Sequence, residues 1–208
     1  MRTTSLTVGL ALTALIATGC AADESSGGTT GEESAATNER APQPTASPSV
    51  TVSTFMPVGE TESTFTYDET AVPAGATSDI QVRVEEGQTF VQFTGTGLEP
   101  EREFGAHVHT DPCGEDPADA GPHYQNEQDP AATADEPSND PAYANPENEV
   151  WLDFTTDETG NVVADSTVDW EFREGEANSL VLHEHHTKTG EGEAGKAGDR
   201  LACVTAQF

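Results

Sequence analysis

Six histidines occur in 208 residues, and they fall at three places. His107 and His109 stand two apart in Phe104-Gly105-Ala106-His107-Val108-His109, a run of strand-forming composition. Alternate residues of a strand share a face, so both imidazoles point one way and Val108 points toward a core. His123 stands alone in Gly121-Pro122-His123-Tyr124, and His183, His185 and His186 follow the apolar run Leu180-Val181-Leu182. A lone His-x-His is more often two surface histidines than a site. Imidazoles gathered from three segments without thiolates suit copper, which heads the affinity order for nitrogen ligands. The residues alone leave His183 and His185 equal as ligand candidates.

The three cysteines divide by position. The first twenty residues, MRTTSLTVGLALTALIATGC, carry Arg2 and an apolar stretch from Leu6 to Ala17. That stretch is too short to span a bilayer, which takes about 20 apolar residues. It reads as a signal peptide over residues 1–19. Its end, Ala17-Thr18-Gly19-Cys20, resembles the lipobox of bacterial lipoproteins, with Ala17 where Leu is commoner. In that reading Cys20 is acylated and holds the protein at the outer face of a membrane. The plainer alternative is cleavage nearby and release. The remaining pair, Cys113 and Cys203, reads as one disulfide in an exported domain, with a thiolate metal site as the weaker competitor. Closing a loop of about 90 residues is worth roughly 4 to 5 kcal/mol in the chain-entropy model.

These residues need elements to hold them. Residues 20–51 are rich in Ser, Thr, Gly, Ala and Pro, and read as a disordered tether. From about Val52 to Phe208 the pattern turns to short alternating runs. They are Ser63–Tyr67, Ile80–Val84, Thr89–Phe93, Phe104–His109, Val150–Thr155, Asn161–Val168, Ser179–His183 and Leu201–Phe208. No segment keeps a helical period. About eight antiparallel strands separated by turns predict an all-β sandwich or barrel over 52–208. Residues 113–149 interrupt it with ten acidic residues, six prolines and no Lys or Arg. A connection this long inside a compact domain is usually functional or disordered.

The charge balance excludes partners. Eight basic against 38 acidic residues give 8 − 38 = −30. That cannot build the basic surface a nucleic-acid-binding protein needs, nor a basic patch for docking on an anionic membrane. Yet Lys188, Lys196 and Arg200 gather within thirteen residues, and a local positive field can steer an anion on an acidic protein.

Five pieces in order, over about 52–208, resemble the copper/zinc superoxide dismutase family. They are Gly105-Ala106-His107-Val108-His109, Cys113, Gly121-Pro122-His123-Tyr124, Leu180-Val181-Leu182-His183-Glu184, and Ala197-Gly198-Asp199-Arg200-Leu201-Ala202-Cys203. The resemblance implies a Greek-key fold with two long loops. It implies His107, His109, His123 and His183 as copper ligands, a Cys113–Cys203 disulfide, and Arg200 as the arginine that guides superoxide. His123 would be the bridging ligand that leaves copper in the reduced half-cycle. The family also takes two histidines and an aspartate for zinc from the loop after that ligand. Here no histidine lies between Tyr124 and Phe154, and Val150 aligns with the aspartate, so Asp153 alone cannot complete a tetrahedral site. The expectation is copper without zinc. Glu147 aligns with a lost zinc histidine and Glu149 lies beside it; either one of them bonds the second nitrogen of His123 in place of zinc, or both face solvent. The aspartate that often links the two metal sites is also missing, the segment reading Glu184-His185-His186-Thr187-Lys188. His185 and His186 are then extra copper contacts, a loading site or, most simply, loop residues. The implied function is extracytoplasmic superoxide disproportionation. The alternative is a copper-buffering module, for which an anion-guiding arginine has no use.

Overall fold

The computed structural model describes residues 48–133 and 136–208. The expected signal peptide, Cys20 and most of the tether lie outside the described residues. Ten strands follow in order: β1 (Ser49–Thr54), β2 (Met56–Pro57), β3 (Thr64–Thr66), β4 (Thr77–Glu85), β5 (Gln88–Thr96), β6 (Glu103–His109), β7 (Phe154–Thr155), β8 (Val162–Val168), β9 (Ser179–His183) and β10 (Arg200–Thr205). Among the described residues the only helical element is a 3-10 turn at Pro117–Ala120, and no helix is long and apolar enough to cross a membrane. The strands form two sheets, ordered β1-β4-β5-β8 and β2-β3-β10-β9-β6-β7. The chain passes between them at β1 to β2, β3 to β4, β5 to β6, β7 to β8 and β8 to β9, the crossing pattern of a Greek-key sandwich.

Alternation explains the first sheet. In β4, Ser78, Ile80 and Val82 are buried while Gln81 and Arg83 face water, so one side packs and the other is solvated. Glu85 pairs with Gln88 across a two-residue turn. Glu86 and Gly87 both take positive φ, 54° and 85°, the conformation of a type I′ hairpin turn. In the second sheet β9 is buried at every position and β6 at all but its first. The sandwich interior covers one side, including Val108, Leu180 and Leu182 beside the stacked Phe93, Phe154 and Phe104. The other side holds the histidines and lies under the two long connections, 110–153 and 184–199.

Three details differ from the sequence expectation. The first described strand starts at Ser49, ahead of Val52, and pairs with β4 along its whole length. β2 and β3 pair in parallel, the one exception to antiparallel order among the named strand pairs. The expected strand over 150–155 is a ladder only at Phe154–Thr155, with Trp151 making a single bridge to His107.

Candidate metal centre

Strand β6 collects the four histidines. It supplies His107 and His109 itself. On one side β9 pairs with it, Gly105 opposite His183 and His109 opposite Ser179. On the other side Gly121-Pro122-His123-Tyr124 runs past as an isolated bridge, His123 opposite His109. Pro122 disfavours a regular strand there, and two backbone bonds suffice: Thr110 N–H to the Pro122 carbonyl (3.1 Å) and Tyr124 N–H to the Val108 carbonyl (2.8 Å). One ligand atom from each of the four rings lies within 4.8 Å of the rest. His185 and His186 stay outside this group; His186 Nε2 instead bonds the Phe154 carbonyl at 3.0 Å.

Hydrogen bonds to atoms that can only accept fix which nitrogen carries the proton. His109 Nδ1–H donates to the Gly121 carbonyl (2.9 Å), leaving Nε2 as the bare atom, 3.3 Å from His183 Nε2. His123 Nδ1–H donates to Glu149 Oε2 (2.9 Å). His107 Nε2 is 2.6 Å from Thr187 Oγ1, and His107 Nδ1 is buried without a partner. Nδ1 of His183 likewise has no partner in hydrogen-bond geometry, although the Gly198 carbonyl lies near enough to raise its proton affinity. Burial pushes His107, His109 and His183 well below the ordinary histidine pKa, and the neighbouring His123 adds to it. They are neutral at neutral pH, as metal binding requires. Bare nitrogens converging in a buried pocket fit copper.

Glu149 is one of the two carboxylates singled out in the sequence. It is 2% exposed and accepts from His123, from Trp151 Nε1 (2.7 Å) and from Gln125 Nε2 (2.8 Å). Glu147 is exposed; its backbone carbonyl accepts from Trp170 Nε1 at 2.8 Å. Trp151 follows Glu149 by two, a spacing that would put both on one side only where the chain is extended. Gln125 carried no signal: Arg173 places it, donating to the Gln125 and Asn126 carbonyls at 3.0 and 2.7 Å.

A cleft of about 570 Å³ opens over the histidines, lined by His123, His183, Arg173, Lys196 and Arg200 among others. Arg200 lies opposite His183 in the β9–β10 pairing, next to a register shift. Its guanidinium donates to the Pro117 carbonyl (2.7 Å) and to the Gly121 carbonyl (2.6 Å). Burial lowers its pKa, and Tyr67 and Asp116 oppose the drop; a guanidinium so placed is still a cation. The basic group in the sequence is only partly gathered here. Lys188 pairs with Glu193 at 3.1 Å and does not line the cleft; Arg173 does. Cys113 and Cys203 form the expected disulfide. It packs with Phe65, Ala120 and Val181, partly covered by Tyr67, and so ties the Pro117–Gly121 segment to β10.

The family model for copper/zinc superoxide dismutase (SODC) matches residues 77–205. No curated protein matches the chain. Among solved structures, a point mutant of an SOD-like protein from Bacillus subtilis is 14% identical, with 63% of this chain and 90% of that chain covered at a TM-score of 0.47. The Cu/Zn superoxide dismutase from Brucella abortus is 16% identical, with 76% and 99% covered at a TM-score of 0.45.

Proposed function

Because the chain belongs to the copper/zinc superoxide dismutase family, we propose that it is an extracytoplasmic, copper-dependent superoxide dismutase that works without zinc. The observation that carries this is a set of converging imidazole nitrogens, two of whose rings, His123 and His183, line a cleft that also holds Arg200. His107, His109, His123 and His183 would hold the metal. Copper bound there supplies one-electron redox chemistry, oxidising one superoxide to dioxygen and reducing a second, with two protons, to hydrogen peroxide.

The chain's own residues do the rest. Arg200 and Lys196 give the cleft a positive wall that draws in an anion, and the two carbonyls on Arg200 hold its guanidinium there. His123 has the most exposed side chain of the four, 18%, and can hold a proton at Nε2 between the half-reactions. Glu149 stabilises the imidazolium that results and keeps the ring from turning. With His123 Nδ1 engaged by Glu149, that nitrogen is not free for a second metal. That engagement supports a zinc-free site.

Export and acylation at Cys20 complete the proposal, on the strength of the first twenty residues. The lipid holds the protein on the extracytoplasmic face of the cell membrane. Mass spectrometry of the mature N-terminus tests this; an unmodified terminus elsewhere means a released protein.

The functional test loads the full chain with copper alone and follows superoxide decay with and without zinc. Rapid decay that zinc does not increase is expected. Tight copper binding without turnover would make the chain a copper-buffering module.

A further inference from the structure

Four large apolar side chains are exposed among the described residues: Val50, Val52, Val58 and Val163. Three of them, all but Val58, share one surface, the outer side of the β1-β4-β5-β8 sheet. Alternate positions of β4, β5 and β8 are buried, so the residues between them face out. Pairing with β4 turns Val50 and Val52 the same way.

The registers set these outward residues in rows. One row reads Val52, Asp79, Thr94, Val163, and the next reads Val50, Gln81, Gln92, Asp165. A third holds Arg83, Phe90 and Thr167, with the Arg83 guanidinium 4.4 Å from the centre of the Phe90 ring. A hollow of about 210 Å³ crosses the second and third rows, less than a small-molecule site usually takes.

Charge selects the occupant. A molecule of charge −30 repels its own copies over most of its surface. On the outward side of these strands only Arg83, Asp79, Glu85 and Asp165 are charged, 1 − 3 = −2. The rows also fit a second copy. A two-fold axis along the strands, midway between β4 and β5, lays β4 over β5 of the partner and β1 over β8. Val52 then meets the partner's Val163, and Arg83 meets the partner's Phe90. Gln81 meets the partner's Gln92, Asp79 the partner's Thr94, Asp165 the partner's Val50 and Glu85 the partner's Gln88. No like charges oppose, which is the self-complementarity a two-fold interface requires.

We propose that the outer side of the β1-β4-β5-β8 sheet is a homodimer surface, on which two copies stack sheet to sheet with Val52 against the partner's Val163. Four strands about 4.8 Å apart over about seven residues present roughly 450 Å² per copy, or about 900 Å² in all. That is the low end for specific interfaces, so the dimer forms in the micromolar range and exchanges readily. The metal centre takes no part. None of these strands lines its cleft, so the cleft stays open in the dimer, and the proposal stands apart from the copper reading.

The test follows the mass of the full chain by sedimentation velocity and light scattering across the micromolar range. Wild type should pass from monomer to dimer as concentration rises. Val52→Lys and Val163→Asp each change a side chain that already faces water, so the fold tolerates them. Each should weaken the dimer at least about tenfold by setting a charge against a valine. Combining them opposes unlike charges at both contacts and should restore affinity to within about threefold of wild type. Val58→Lys, on an exposed valine away from this surface, should change nothing. Wild type that stays monomeric throughout, or a dimer indifferent to both single changes, overturns the proposal and leaves the surface to another occupant or to solvent. A combined variant as weak as the single ones overturns the two-fold pairing, and the proposal with it.

Discussion

Glu149 receives three N–H donors on one carboxylate in a setting nearly closed to water. A glutamine there offers one acceptor oxygen and two hydrogens of its own, so at least one donor of His123, Gln125 or Trp151 meets an N–H. A buried unpaired donor costs about 1 to 3 kcal/mol. Glu149→Gln should therefore weaken copper binding by about ten- to a hundredfold and slow turnover, while Glu147→Gln, on an exposed carboxylate, should leave both unchanged; metal titration and stopped-flow decay read the contrast. Arg200→Gln should lower the superoxide rate constant and flatten its ionic-strength dependence. Neutralising Lys188, which is paired with Glu193 away from the cleft, should do neither. At this scale the sequence already carried the histidines and the two candidate glutamates, because residue type and order suffice for them. Gln125, Thr187 and the Gly121 carbonyl were not legible. Each acts through a contact set by how distant segments fold back, and nothing in its own residue type marks it.

The disulfide is the element-scale tie. It closes a span of 90 residues, which the chain-entropy model values at about 4 to 5 kcal/mol. It also anchors the Pro117–Gly121 segment, whose last carbonyl receives both His109 and Arg200. Replacing Cys113 and Cys203 together with Ser should lower the denaturation midpoint, and should weaken copper binding in the protein that remains folded. Loss of stability with undiminished metal affinity would separate the two roles. The strands around this tie differ in how readable they were. β4, β5, β6 and β9 show in the alternation or in the unbroken apolar run. β1 did not, because its pattern is inverted: Val50 and Val52 face water at 54% and 70% exposure, and Thr51 and Ser53 are half-buried. A strand that turns its polar residues inward at a sheet edge looks like a continuation of the polar segment before it. The 150–155 run was too long an expectation for the same reason in reverse. Its apolar residues are buried, yet Trp151 makes one bridge and the ladder forms only at the end.

For the molecule as a whole, a charge of −30 and three buried neutral histidines set opposite responses to acid. His107, His109 and His183 have folded-state pKa values depressed by burial, against about 6.5 in an unfolded chain. Below that value the unfolded state takes up protons that the folded state refuses. The stability these residues allow is complete above about pH 6.5 and falls as pH drops toward their folded values, by on the order of 1 kcal/mol per histidine per pH unit. The metal-free protein should lose denaturation midpoint steeply from pH 6.5 to 5, and copper should suppress that loss by occupying the same nitrogens. A flat profile for the metal-free form across this range would contradict the burial of the three rings.

Gly121 narrows what this molecule can become. Its φ of +70° and ψ of −165° lie in a region that essentially only glycine adopts, and a Cβ would also press on the side-chain ends of Asp111 and Thr110. Its carbonyl serves a ligand ring and the proposed anion guide at once. Ligand orientation and substrate guidance therefore share a single codon. A lineage cannot drift there and trade one property against the other; a substitution damages both together, and a descendant that abandons the chemistry is free to lose this glycine.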